Sequence, residues 1–283
     1  MKRRYAFFPG CILEKATQEC YQATMAVAKA LDWELVEIPG WSCCGASHVQ
    51  DIEEKAALTV NARNLALAEL MGLPLLTVCS TCTLMLRKAK MELDGGAKEE
   101  INSYLAEGGL GYEGTAVVTH LLWELVEAKD EWIDKITSPL SALRVAPFYG
   151  CHTIRPPEVQ TFENALAPTS LEQLITALGA VPSPTPDRLK CCGFHAAYPA
   201  EPDVLRNAGN IINNAAAVQA DCLLTPCPLC QMQLDVYQPD ARSAAGTDAE
   251  MPCLHLAQLI GLGLGLTAET LGIKRHIVQS KKF

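Results

Sequence analysis

One arrangement of cysteines occurs twice in this chain and leaves few folds open to it. Cys11 is followed after 31 residues by the adjacent pair Cys43–Cys44, then after 34 by Cys79, and after two more by Cys82. Cys151 is followed after 39 residues by Cys191–Cys192, then again after 34 by Cys227, and after two by Cys230. Each adjacent pair is followed by glycine, in "SCCGASH" and "KCCGFH". Ten of the thirteen cysteines fall in register, five per half, which marks an internal duplication.

The match extends past the thiols. Both halves start with an apolar run into Gly-Cys, "YAFFPGC" and "RVAPFYGC", with a cation four residues later, Lys15 or Arg155. Both CxxC segments follow an apolar run, in "LPLLTVCSTC" and "ADCLLTPCPLC". Beyond each lies a histidine that opens an apolar helix, His120 in "VTHLLWELV" and His255 in "CLHLAQLIG". The eight extra residues of the second half are assigned to the Pro-rich "VPSPTPDRLK", read as a surface loop. Short apolar runs alternate with helical patterns, as over 51–72 and 202–219. That alternation predicts an α/β fold of two duplicated Rossmann-like βαβ domains with parallel sheets, related by a pseudo-two-fold axis. The seam is expected near Pro139, giving domains 1–139 and 140–283. In such sheets ligands gather at the carboxyl ends of strands, where Cys11, Cys79, Cys151 and Cys227 all stand.

Composition narrows what the thiols can do. No apolar run is long enough to span a bilayer, the longest being the glycine-rich "LHLAQLIGLGLGL". The start, "MKRRYAFFPGC", is a poor signal peptide, so a cytoplasmic protein is expected. There thiols stay reduced, which argues against disulfide staples. A net charge of −9 argues against a general nucleic-acid binder. Adjacent cysteines bite poorly on a single ion but can reach different atoms of a cluster. A structural zinc takes four ligands, and so does a cubane iron–sulfur cluster. Five thiols per half exceed both, and no ferredoxin-type cysteine run is present. A zinc-stabilised interaction module is the weaker alternative.

The twice-occurring pattern, with Gly after each pair and with "YGCHTIRP", "TPCPLCQMQLD" and "LHLAQLIGL", resembles the duplicated cysteine-rich CCG domain of the heterodisulfide reductase B subunit over nearly the whole chain. The resemblance implies two noncubane [4Fe-4S] clusters, one held by Cys11, Cys43, Cys44, Cys79 and Cys82, the other by Cys151, Cys191, Cys192, Cys227 and Cys230. It implies the catalytic subunit of a disulfide oxidoreductase that cleaves a small-molecule disulfide, such as the mixed disulfide of coenzymes M and B, between two facing clusters. Each cluster would give one electron and capture one sulfur. Electrons would come from a ferredoxin-like partner subunit, and a flavin-bearing subunit would be a further member of the same heterodisulfide reductase complex. The competing expectation is a non-catalytic iron–sulfur electron-transfer subunit of another dehydrogenase or reductase complex.

Three residues stand beside these ligands as candidates for catalysis. His152 could donate a proton or hydrogen bond, and Lys15 and Arg155 could offset cluster charge or grip an anion. Each reads equally well as an ordinary loop or surface residue. His120 and His255 suit packing or helix capping better than a cluster-side role. Cys20, Cys222 and Cys253 read as core thiols. "CSTC" and "CPLC" imitate a thioredoxin motif, but the repeat favours ligation.

Overall fold

The run from Arg4 to Phe8 is charged only at its first residue, and it forms a strand whose alternate side chains enter two different cores. Tyr5 and Phe7 face one, Ala6 and Phe8 the other. The structure is a computed structural model that describes residues 2–46 and 48–283. The first half runs β1 (Arg4–Phe8), α1 (Cys11–Glu14), α2 (Gln18–Leu31), β2 (Glu34–Glu37), α3 (Val49–Ile52), α4 (Glu54–Met71), β3 (Leu75–Thr77), α5 (Ser80–Glu92), α6 (Lys98–Ala106), β4 (Val118–His120), α7 (Leu121–Glu127) and α8 (Lys129–Trp132). The second runs β5 (Arg144–Pro147), α9 (Ser170–Ala177), β6 (Val181–Pro182), α10 (Ala197–Ala217), β7 (Cys222–Thr225), α11 (Pro228–Asp235), α12 (Gln238–Ala245), β8 (Cys253–His255) and α13 (Leu256–Gly263).

The strands form two four-stranded parallel sheets with the same order, β2-β1-β3-β4 and β6-β5-β7-β8. The registers correspond as well: Ala6 pairs with Leu75 and Val145 with Cys222, while Leu75 pairs with Val118 and Leu223 with Cys253. The central strands are buried on both faces, so they read as short apolar runs rather than alternating ones. The expected α/β duplication is what the chain adopts.

One detail of the repeat differs from expectation. β2 opens 23 residues after Cys11, whereas β6 opens 30 after Cys151. Seven of the eight extra residues therefore enter before β6, in the turn-rich stretch 152–169 ahead of α9, and only one falls in the Pro-rich loop. Prolines report a fixed φ and a missing donor, not an insertion, and that is why their density misleads.

Each core runs unbroken through both halves. The first unites Phe7, Val27 and Leu122 with Val145, Leu174 and Leu259, and the second unites Phe8, Leu65 and Leu86 with Phe148, Ile211 and Leu234. α2 packs on α13 and α7 on α9 to close the first core. Leu174, Ile175 and Leu259 are wholly buried there, and each such side chain contributes about 2 kcal/mol of transfer free energy. The three cysteines outside the repeat belong to these cores: Cys20 and Cys222 sit in the first and Cys253 in the second, all fully buried.

Candidate functional site

Both CxxC segments begin just past a buried central strand. Cys79 follows β3 and caps α5, and Cys227 follows β7 and caps α11, each with extended backbone. Pro228 takes the first helical position, where its missing N–H leaves no bond unmade.

Around Cys79 and Cys82 the chain gathers the rest of the first quintet. Cys11 Sγ lies 3.4 Å from Cys43 Sγ, and Cys44 Sγ lies 3.6 Å from Cys82 Sγ. In the second half Cys151 Sγ and Cys191 Sγ are 3.5 Å apart. All five thiols of each half line one chamber. The two chambers meet where Cys79 Sγ and Cys227 Sγ stand 4.0 Å apart. As they stand, among the described residues no three His, Cys, Asp or Glu side chains close on a single ion-sized point.

The glycines explain themselves here. Gly45 and Gly193 have φ of +69° and +92°, and their amides donate to the sulfur two residues back, Cys43 at 3.5 Å and Cys191 at 3.3 Å. Hydrogen bonding to Cys11, to Cys44 and to the Gly45 amide holds the Cys43 thiol far below its usual range, and Cys151, Cys192 and the Gly193 amide do the same for Cys191. Gly10 and Gly150 keep space clear, since a Cβ there would come within 3.0 Å of Cys82 Sγ and 2.9 Å of Cys230 Sγ.

The chambers differ in size. The first holds about 510 Å³ and opens past Tyr198 and Tyr237, while the second holds about 10 Å³. Thr81, Phe194, His195 and Leu229 belong to the walls of both. Thr81 Oγ1 lies 2.9 Å from His152 Nδ1 and 3.2 Å from His195 Nε2, and the two imidazoles stack at 5.2 Å. Burial lowers the pKa of both imidazoles. Ser80 Oγ meets Thr153 Oγ1 at 2.7 Å, a second polar bridge between the halves.

His152 therefore stands at the second chamber, as its place after Cys151 suggests. Lys15 and Arg155 line neither chamber. Lys15 is exposed at the end of α1, and Arg155 donates to the Leu189 carbonyl at 2.5 Å, bracing the loop that leads to Cys191. His120 and His255 cap α7 and α13 through Nδ1, which accepts from the Leu122 and Ala257 amides. That leaves Nε2–H to donate, and His255 directs it to the Val78 carbonyl at 3.2 Å in the opposite half. His48 and His195 are absent from the sequence-derived candidates. Their signal is present all the same, because both CCG loops carry a histidine within four residues of the second cysteine. Thr81, an interior residue of CxxC, has no such signal.

The residues present fit a multi-iron cofactor. Each chamber offers five thiols, one more than a tetrahedral ion takes. No Lys or Arg lines either chamber among the described residues. Buried thiolates need positive charge, and bound iron would supply what the side chains do not.

A family model described as "CCG: Cysteine-rich domain" matches residues 5–87 and again residues 145–235. An 8-methylmenaquinol:fumarate reductase membrane anchor subunit of Wolinella succinogenes is 52% identical over 282 residues, covering all of this chain and 99% of that protein. The B subunit of a ferredoxin/F420H2-dependent CoB-CoM heterodisulfide reductase of Methanosarcina acetivorans is 35% identical over 99% of this chain and 95% of its own. The B subunit of a ferredoxin:CoB-CoM heterodisulfide reductase of Methanosarcina mazei is 33% identical, with the same coverage. A solved hypothetical protein of Helicobacter pylori superposes over 99% of this chain with a TM-score of 0.80 at 17% identity, and so shares the fold; this chain spans 53% of its length.

The Wolinella relative corrects the expected partners. Ferredoxin-like and flavin-bearing subunits follow from the heterodisulfide reductase resemblance, yet a relative matching end to end at 52% is named for a different reductase and for a membrane. The cysteine pattern bears on the two chambers, where its ten thiols stand. Partner choice lies on the outer surface, which the pattern does not sample.

Proposed function

The chain belongs to the CCG cysteine-rich domain family, among the relatives of the heterodisulfide reductase B subunit, and on that premise we propose that it is an iron–sulfur electron-transfer subunit of a membrane-associated reductase complex of the menaquinol:fumarate type. The end-to-end similarity to the Wolinella protein supports the type of complex. Among the described residues no helix is long and apolar enough to cross a membrane, so the proposal is of attachment through the assembled complex.

The observation that carries the reading is the 4.0 Å approach of Cys79 and Cys227, which brings ligands of both quintets into contact. In this proposal Cys11, Cys43, Cys44, Cys79 and Cys82 hold one noncubane [4Fe-4S] cluster, and Cys151, Cys191, Cys192, Cys227 and Cys230 hold the other. Bound there, such clusters accept and release electrons singly. Cys44, Cys79, Cys82, Cys192, Cys227 and Cys230 are buried away from water, while Cys11, Cys43 and Cys191 stand at the exposed side of their chambers. Thr81, His152 and His195 orient one another between the chambers, and Arg155 steadies the second cysteine-pair loop.

Purification without oxygen tests this. The expected result is about eight iron and eight sulfide per chain, with electrons taken from dithionite and passed to an added naphthoquinone. Zinc without sulfide would overturn it. Release of thiols from an added disulfide, with no turnover of the quinone, would return the chain to the disulfide-reductase class.

A further inference from the structure

We propose that the large chamber at the first cysteine quintet is the binding site for a quinol or quinone ring, whose isoprenoid tail leaves over the exposed rim. This names the substrate class for the function proposed above and rests on that reading.

The asymmetry between the halves comes first. Both quintets present the same five thiols. Yet the first chamber holds about 510 Å³ and the second about 10 Å³. The first volume lies within the range of small-molecule sites, roughly 300–1,000 Å³. Its walls are largely apolar, with Ile12, Phe194, Val204, Leu205 and Leu229 among them.

Charge excludes most other ligands. Among the described residues no Lys or Arg lines this chamber, and its one carboxylate is Glu201. An anionic substrate would meet no cationic side chain and would have a carboxylate against it. A neutral hydroquinone meets neither obstacle. Thr81, His195 and Gln233 stand in the walls as hydrogen-bonding partners for its two oxygens.

The rim supplies the third observation. Val49, Tyr198 and Tyr237 line the chamber yet are 39%, 88% and 41% exposed, and His48 packs edge-on against Tyr198 at 5.5 Å. Apolar surface that is continuous from a cavity into solvent marks contact with a ligand or lipid. A long apolar tail would cover it.

The test uses the full chain, purified without oxygen, with iron and sulfide measured first. The probe is 2-heptyl-4-hydroxyquinoline N-oxide, a fluorescent quinol analogue, titrated by quenching. Saturable binding is expected. Leu205→Trp, which fills the chamber, should weaken it by about tenfold or more with iron and sulfide unchanged. Leu166→Ala, at an 87% exposed position outside the chamber, should not alter it. Should Leu205→Trp lose its iron, Tyr198→Ala at the rim decides, with a few-fold weakening expected and unchanged affinity counting against the site. Absence of quenching in protein with full iron, sulfide and dithionite reduction overturns this inference alone. Absence of sulfide overturns the functional reading beneath it.

Discussion

His255 Nε2 lies 3.2 Å from the Val78 carbonyl, one residue before Cys79. The same imidazole caps α13 through Nδ1 and belongs to the second half, while Val78 belongs to the first. One side chain thus fixes a helix start and the backbone that presents the opposite half's CxxC.

Removing that imidazole should therefore be felt in both halves. His255→Ala loses a cap and leaves the Val78 carbonyl unpaired, a destabilisation of about 3 kcal/mol. His255→Asn keeps a capping side chain and should recover about 1 kcal/mol of it. Urea unfolding of the anaerobic protein checks the order, wild type above Asn above Ala.

Gly150→Ala should disable one half selectively. The added methyl would lie 2.9 Å from Cys230 Sγ, on backbone with φ of +70°, a conformation that costs a non-glycine residue about 1–2 kcal/mol. The expected product is a folded chain with about half the wild-type iron and sulfide, measured per chain. Full iron content would show that the chamber tolerates the methyl.

The cysteines should sort into two classes by metal content. Cys43→Ala removes a thiol from the first quintet and should lower iron by about half. Cys20→Ala, Cys222→Ala and Cys253→Ala remove core sulfurs that are fully buried. Each should leave iron unchanged while lowering stability by about 1 kcal/mol.

Acid should loosen the C-terminal tail. His276 is buried, its Nε2 lies 2.8 Å from Gln258 Nε2 and so accepts from it, and burial lowers its pKa to about 4. The unfolded chain, with an ordinary histidine pKa near 6.5, binds the proton more readily. This contribution is complete above pH 6.5 and is lost as pH falls toward 4, at about 1.4 kcal/mol per pH unit. Asp235, which accepts from the Ile277 and Val278 amides, acts in the opposite sense. Burial raises its pKa to about 6, so its contribution is present below about pH 4 and lost as pH rises through 6. Urea midpoints at pH 7 and pH 5 should fall less in His276→Gln than in wild type.

Much of this architecture is written in the cysteine spacing. An identical 34-residue interval and matching apolar runs announce two equivalent parallel sheets, and the five thiols of each half line one chamber. His48 and His195 are legible too, once the residues after each CCG are set side by side. The reach of His255 to Val78 is not, because these residues lie 177 apart in sequence and meet only through how the two halves face one another. Nor is the difference in chamber volume. Both quintets are spelled alike, and the opening depends on how α10 lies over the first of them. The partners escape the sequence for a related reason, since a surface carries no repeat.

The two cores, each threaded through both halves, have a consequence for any attempt to divide the molecule. Either half made alone would bare one side of both, among them Leu174 and Leu259 or Phe7 and Leu122. Its closest available cover would be another copy of itself. Such a fragment should assemble as a symmetric homodimer with a matched pair of thiol chambers, the kind of ancestor from which gene fusion would free one chamber to enlarge while the other stayed closed.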